Sequence, residues 1–309
     1  METRRIGSLQ VSVVGLGCNN FGYRLDADTT AAVVDAALDA GINFFDTADV
    51  YGATQSEEFL GRALRGRRDD VVLATKFGAR VDEQRKGARP EYVRQAVEDS
   101  LRRLRTDRID LYQLHSPDPE VPIEDTLGAL DALVRAGKVR EVGCSNFSVD
   151  QLREAEGAFR EGSARFASVQ NEYSLLHRDP EHDVIPESER AGIAFIPYFP
   201  LANGLLTGKY RRGEPAPEGS RLRSSSRTEN PLLTDQNLAV VGDLVEFSES
   251  QGHTILELAF SWLLRQPAVA SVIAGATSPE QAKSNAAAAG WRLTDEELSE
   301  IDEILTRSA

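Results

Sequence analysis

One pattern constrains this chain more than any other. A short apolar run, a polar turn and an amphipathic stretch of about ten to fifteen residues recur along nearly its whole length, the signature of repeated βα units. Candidate strands fall at residues 14–18, 43–45, 71–75, 111–114, 141–144, 168–170, 194–197 and 269–273. Between them, "DTTAAVVDAALDAG" reads as a helix capped at Asp28 or Thr29 and stopped at Gly41, and "RPEYVRQAVEDSLRRLR" as one opened by Pro90. "IEDTLGALDALVRAGK", "SVDQLREAEGAFRE", "TDQNLAVVGDLVEFSESQG" and "TILELAFSWLLRQ" share that character, with Gly137 and Gly252 as stops. Eight such units in 309 residues fit a single (β/α)8 barrel of the TIM type better than two doubly wound domains. No stretch reads as a linker, so residues 1–309 are taken as one domain.

Two additions decorate the barrel. "RRIGSLQVSVVG" is expected to form an N-terminal hairpin, and "LTDEELSEIDEILTRS" a C-terminal helix from Thr294 with a Glu297 capping box. The segment 211–231, rich in Arg, Ser, Pro and Gly, is expected to be a long loop on the active face after the seventh strand.

Charge and composition remove several classes of function. With 35 basic and 49 acidic residues the net charge is -14, which repels nucleic acid and anionic membrane surfaces. The start, "METRRIGSLQ", lacks a basic segment followed by an apolar one, and no apolar run approaches about 18 residues, so a cytoplasmic location is expected. Cys18 and Cys144 are too few for a disulfide framework, and the four histidines show no metal-ligand spacing. Neither a metal nor a disulfide is expected.

In such barrels reactive groups stand at the C-terminal ends of the strands. Strand two ends at Asp46 with Tyr51 in the following loop, strand three at Lys76 and strand four at His115. A phenol ionises near pH 10, so acid–base work by Tyr51 near neutrality calls for a neighbouring cation such as Lys76, held in turn by Asp46. His115 suits a hydrogen bond to a substrate oxygen or a proton relay, and the set suits carbonyl chemistry. Ser145, Asn146, Gln170, Asn171 and Tyr198 end the next three strands and suit an amide or a flat ring. Taken singly, Asp46 with Lys76 would be a mouth salt bridge, Tyr51 a loop aromatic and His115 a strand-end histidine. Their convergence favours catalysis.

Other strings carry less. "GLGCNNFG" lacks the third glycine and prompt helix of a dinucleotide fingerprint and reads as a tight turn, "GLLTGK" is too short for a phosphate-binding loop, and "HRD" at 177–179 reads as a helix entry.

"FFDTADVYG", "LATKFG", "DLYQLHSPD", "VGCSNF", "SVQNEYSLL", "YFPLANGLLTGKY" and "IAGATSPEQAKSN", in this order and spacing, resemble an aldo-keto reductase over nearly the whole chain. The resemblance implies a barrel that reduces aldehydes, ketones or sugars with NADPH, NADH being possible, and that oxidises alcohols in reverse. It implies a tetrad of Asp46, Tyr51, Lys76 and His115, in which Tyr51 donates a proton to the carbonyl oxygen, Lys76 and Asp46 lower its pKa and His115 orients the substrate. Ser145, Asn146 and Gln170 would hold the nicotinamide carboxamide and Tyr198 would stack on its ring. Phe199, Leu201, Gly204, Leu206 and Lys209 would lie along the pyrophosphate, and Gly275, Thr277, Ser278, Gln281 and Asn285 at the adenosine end, where Ser278 and Gln281 form a capping box. "GATSPEQ" departs from relatives that place Lys or Arg there for the 2′-phosphate of NADPH, and Lys283 is the nearest cation in sequence.

Phe21, Tyr23, Phe77 and Phe147 follow strand ends and either line an apolar substrate pocket or pack beneath the loops. The expected partner is a small carbonyl compound, with the protein a monomer or weak oligomer. The alternative is a cofactor-binding redox sensor resembling potassium-channel β subunits, and the set of four ionisable groups argues against both it and a phosphate-binding isomerase barrel.

Overall fold

Side chains alternate between the two faces of a strand, and in this chain the alternation separates an inner face from an outer one. Phe44, Ala74 and Leu111 point into one small apolar cluster with Val72, Ile196 and Ile273, whereas Phe45, Leu73 and Tyr112 point outward into the larger core beneath the helices. In the computed structural model, which describes residues 1–211, 213–218, 220–224 and 232–307, that separation is the wall of a barrel.

Among the described residues, the strands are β1 (Thr3–Ile6), β2 (Leu9–Ser12), β3 (Val14–Gly17), β4 (Phe44–Asp46), β5 (Val72–Phe77), β6 (Ile109–Leu114), β7 (Val139–Ser145), β8 (Phe166–Glu172), β9 (Ala194–Tyr198) and β10 (Val272–Gly275). The helices are α1 (Ala27–Asp39), α2 (Gln55–Ala63), α3 (Pro90–Leu104), α4 (Ile123–Arg135), α5 (Val149–Gly157), α6 (Val184–Ala191), the one-turn α7 (Arg221–Ser224), α8 (Asp235–Ser250), α9 (Ile255–Leu264), α10 (Pro279–Ala287) and α11 (Asp295–Arg307). Strands β3 to β9 pair in parallel and in chain order, and β10 returns to pair with β3. The seam between β9 and β10 closes through the residues just before β10, where Phe195 bridges Val269 and donates to the Ala268 carbonyl at 2.7 Å. The expected strand 269–273 is therefore two features, a bridge at Val269 and a ladder from Val272.

The hairpin of β1 and β2 forms as expected and plugs the barrel floor, with Ile6, Leu9 and Val11 inside the inner apolar cluster. Gly15 and Gly17 explain themselves on that inner face. A methyl group at Gly15 would lie 2.9 Å from Phe44, and one at Gly17 would lie 3.0 Å from Ile273, so the two glycines admit larger neighbours.

Helix entries differ from expectation in two places. The cap of α1 is Asp26, whose carboxylate accepts from the Thr29 N–H at 2.8 Å, ahead of Asp28 and Thr29. "HRD" leads into a single 3-10 turn, and α6 is capped four residues later by Asp183. Thr294 and Glu297 do form the expected reciprocal cap of α11. Of the 211–231 segment, residues 212, 219 and 225–231 lie outside the described residues. No helix among the described residues is long and apolar enough to cross a membrane.

Candidate active site

Two residues farther along the inner face, the apolar layer gives way to a polar one. Asp46 follows Phe44, Lys76 follows Ala74, Gln113 follows Leu111, Ser145 ends β7, and Gln170 lies two residues before the end of β8, all buried. Buried charge is tolerated only when paired and hydrogen-bonded, and here it is both. The Lys76 ammonium donates to Asp46 Oδ2 and to the Thr47 carbonyl, the latter at 3.2 Å. Asp46 Oδ1 accepts from Gln113 Nε2 at 2.9 Å and from Gln170 Nε2 at 3.2 Å.

Tyr51 reaches this group on a distorted loop. The chain after β4 runs on beside β5, with the Thr47 N–H donating to the Ala74 carbonyl and the Asp49 N–H to the Lys76 carbonyl, at 2.9 and 3.0 Å. It then turns through three left-handed residues, Gly52, Ala53 and Thr54. At Gly52 the turn requires glycine, since φ is 57° and a methyl group would stand 2.4 Å from the Phe21 carbonyl oxygen. The turn sets the Tyr51 ring 5.3 Å from Lys76 Nζ and 5.8 Å, edge to face, from the His115 ring. Non-glycine residues with positive φ also occur at Asn146, Phe199, Ala202 and Asn203, so all but Arg105 of those described lie in loops over this end of the barrel. Strained backbone of this kind costs of order 1–3 kcal/mol per residue and clusters at functional sites.

Burial sets the protonation states. The Tyr51 phenol is held above its ordinary value chiefly by burial; Lys76 pulls it down, while Asp46 pushes it up. The expected lowering by Asp46 is thus reversed, because a negative charge opposes phenolate formation. Lys76 is raised despite its burial, by Asp46 and Tyr51. Burial and the Lys76 charge pull His115 down to about 3, leaving a neutral imidazole whose Nδ1 is buried without a partner among the described residues.

A cavity of about 690 Å³ opens on these groups and extends to the start of α10. Its wall takes in Asp46, Tyr51 and His115, with Lys76 buried just behind. It continues past Ser145, Asn146, Gln170 and Tyr198, then Phe199, Leu201, Gly204 and Lys209, and ends at Gly275, Thr277, Gln281 and Asn285. Tyr198 Oη donates to Asn146 Oδ1 at 2.9 Å, and Asn146 Nδ2 donates to the His115 carbonyl at 2.9 Å, which joins the ring to the polar layer. Asn171 turns away, donating to the Phe147 carbonyl. Leu206 is buried in the outer core and, with Ser278, stays off the wall. Ser278 caps α10, but Gln281 accepts from the Thr277 N–H at 2.8 Å instead of the Ser278 N–H, so the expected box is only half formed. Exposed Lys283 is also off the wall.

The four aromatic substrate candidates do not form a pocket. Phe21 is buried in the outer core, Phe77 stacks on Tyr112 at 4.6 Å, Phe147 packs edge to face on Phe166 at 5.5 Å, and Tyr23 is 80% exposed. Alternation is the reason for Phe77: with Lys76 facing inward, its neighbour faces out. Sequence reasoning also missed Gln113, although a lone glutamine two residues before His115 in an apolar strand marked the same inner face. Asn19, Asn20, Arg24 and Ser284 line the wall without any motif to announce them. Cys18 and Cys144 are buried free thiols, and no cluster of three metal-binding side chains occurs among the described residues.

The residues present fit a dinucleotide. The wall offers amide-complementary groups beside the reactive cluster and a flat tyrosine ring. Farther along, Lys209 stands over a glycine turn at Gly204, and a helix N-terminus closes the far end.

Residues 13–306 match the family model described as "Aldo/keto reductase family". Among curated proteins, the aldo-keto reductase YhdN of Bacillus subtilis (strain 168) is 36% identical over 306 residues, covering 96% of this chain and 91% of that protein. The probable aldo-keto reductase 1 of Glycine max is 35% identical, covering 95% and 85%. Among solved structures, the glycerol dehydrogenase AKR11B4 from Gluconobacter oxydans superposes with a TM-score of 0.86 at 34% identity, covering 99% of this chain and 96% of that one. Matched almost from end to end by that model and by relatives with the same barrel, the chain belongs to the aldo/keto reductase family of NAD(P)-dependent oxidoreductases.

Proposed function

We propose that residues 1–309 work as one barrel that reduces the carbonyl of a small aldehyde, ketone or sugar, with Tyr51 as proton donor, NADPH as cofactor and NADH accepted. The observation that carries the reading is the buried contact of a protonated Tyr51 with Lys76 and, through it, Asp46. When bound, the nicotinamide supplies hydride to the carbonyl carbon.

The chain's own residues handle the oxygen. Tyr51 passes its phenolic proton to the alkoxide as it forms, and Lys76 stabilises the phenolate left behind. Asp46, with the two glutamine amides on its other oxygen, keeps Lys76 charged and fixed. Neutral His115 offers one N–H to the substrate oxygen and orients it towards Tyr51. Ser145, Asn146 and Gln170 would hold the carboxamide, and Tyr198 would stack on the ring. Thr277, Gln281, Ser284 and Asn285 would take the adenosine end, which offers no lysine or arginine in the α10 turn, in keeping with use of both cofactors.

The test is oxidation of NADPH and NADH with an aromatic aldehyde. Tyr51→Phe is expected to lower kcat by about 10²-fold or more, with cofactor affinity unchanged. Absence of turnover with both cofactors would sink the reading, and near-wild-type turnover by Tyr51→Phe would remove the tyrosine from its role.

A further inference from the structure

A second group of ionisable side chains, unused by the reaction above, lies beneath the loop that carries Tyr51. Asp49 is 2% exposed. Its backbone N–H is the one that pins this loop to the Lys76 carbonyl, and Tyr51 follows two residues on. Its carboxyl is poorly served: Oδ2 has Tyr92 Oη of α3 at 3.5 Å, a long contact, and Oδ1 is buried with no partner among the described residues.

The groups that face it account for one charge too many. Glu57 of α2 is fully buried, with Thr75 of β5 donating to one oxygen and Arg103 of α3 pairing with the other, both at 2.6 Å. Tyr112 of β6 brings a buried hydroxyl that also lacks a partner. Lys76, next to Thr75, is committed to Asp46. Two carboxylates and one guanidinium in a dry pocket would leave a net negative charge, which burial penalises heavily. Glu57 already holds Arg103 in a short ion pair, so Asp49 is the acid that keeps its proton.

We propose that Asp49 is a positioning residue for Tyr51, neutral in the active enzyme, and that its deprotonation displaces the Tyr51 loop and lowers turnover. The route is short: a charged Asp49 competes for Arg103, loosens Glu57 from Thr75, and so disturbs β5 beside Lys76. Burial and the Glu57 charge lift the Asp49 carboxyl to about 7. Tyr51 and Lys76 are both raised and His115 is near 3, so none of those three titrates close to neutrality.

The inference rests on the carbonyl-reduction reading and is tested by kcat at saturating aldehyde and cofactor from about pH 5.5 to about pH 9. Wild type is expected to fall by up to about thirty-fold by about pH 8.5, as a group titrating near 7 becomes almost fully ionised. Asp49→Asn, a neutral isostere, should stay flat at the low-pH rate of wild type. Tyr92→Phe removes a hydrogen bond that favours the charged form and should move the falling limb to higher pH. An unchanged limb in Asp49→Asn, or a rate depressed at every pH, would overturn the proposal. Melting supplies a readout free of activity. A carboxyl raised in the folded state contributes stability below its unfolded pKa that is lost as pH rises through the folded one, so Asp49→Asn should gain Tm on wild type between about pH 4 and about pH 8. No such gain would also overturn it. A wild-type protein with no turnover would instead strike the carbonyl-reduction reading, while melting still decides the state of Asp49.

Discussion

Replacing Lys76 with methionine keeps the length of the side chain and removes the one ammonium that Asp46, Thr47 and Tyr51 share. Asp46, 3% exposed, would keep two amide donors, both on Oδ1, and lose the donor on Oδ2. Breaking a buried ion pair from one side costs about 3–5 kcal/mol. At about 2.1 cal/mol/K of unfolding entropy per residue, a 309-residue chain should lose about 5–8 °C of Tm. Turnover should fall by about 10²-fold or more, since Lys76 is the group that favours the Tyr51 phenolate. Scanning calorimetry and steady-state kinetics read the two effects, and the double variant Asp46→Asn/Lys76→Met should recover more than half of the lost Tm. An equal Tm loss from Lys76→Met in the Asp46→Asn background would refute the ion-pair reasoning.

Gly52→Ala forces a methyl group into the Phe21 carbonyl at a left-handed position. It should cost about 1–3 kcal/mol and lower kcat more than it weakens cofactor binding, as measured by melting and by the two constants separately. His115 has its folded pKa depressed to about 3, so it contributes stability that is present above about pH 6.5 and lost as pH falls towards 3. His115→Gln should therefore lose less Tm than wild type between pH 7 and pH 4, and equal losses in thermal melts at those two pH values would count against a buried neutral imidazole.

Much of the barrel was legible because its elements obey local rules. The parallel strands are apolar runs, the glycines at 41, 137 and 252 end helices in the left-handed conformation as anticipated, and strand ends alone brought Asp46, Lys76 and His115 together. What escaped notice depends on contacts distant in sequence. Helix α2 carries no starting signal, because Thr54 ahead of it is left-handed and makes no side-chain cap. At its Gly61 a methyl group would lie 2.6 Å from the Leu104 carbonyl of α3, so the glycine serves helix packing. Of the aromatic candidates, Phe77 alone is settled by alternation, since it adjoins inward-facing Lys76; Phe21 and Phe147 are buried by packing against residues distant in sequence. Arg24 and Asn20 reach the cavity wall because β3 and β10 are neighbours, which no local pattern states.

The plug at the barrel floor bears on how the chain comes to be folded. Arg4 donates to the carbonyls of Leu264, Gln266 and Val269, at 2.7, 3.2 and 2.6 Å, and β3 waits for β10 as a partner. The first barrel strand, paired with β4 on one side, thus acquires its second neighbour only when the last unit exists. Such long-range pairing slows folding and leaves sheet edges open meanwhile. During synthesis the growing sheet has two free edges until residues 268–275 arrive, so a chain stalled before them would be a sticky open ring of seven strands, whatever the quality of its earlier units.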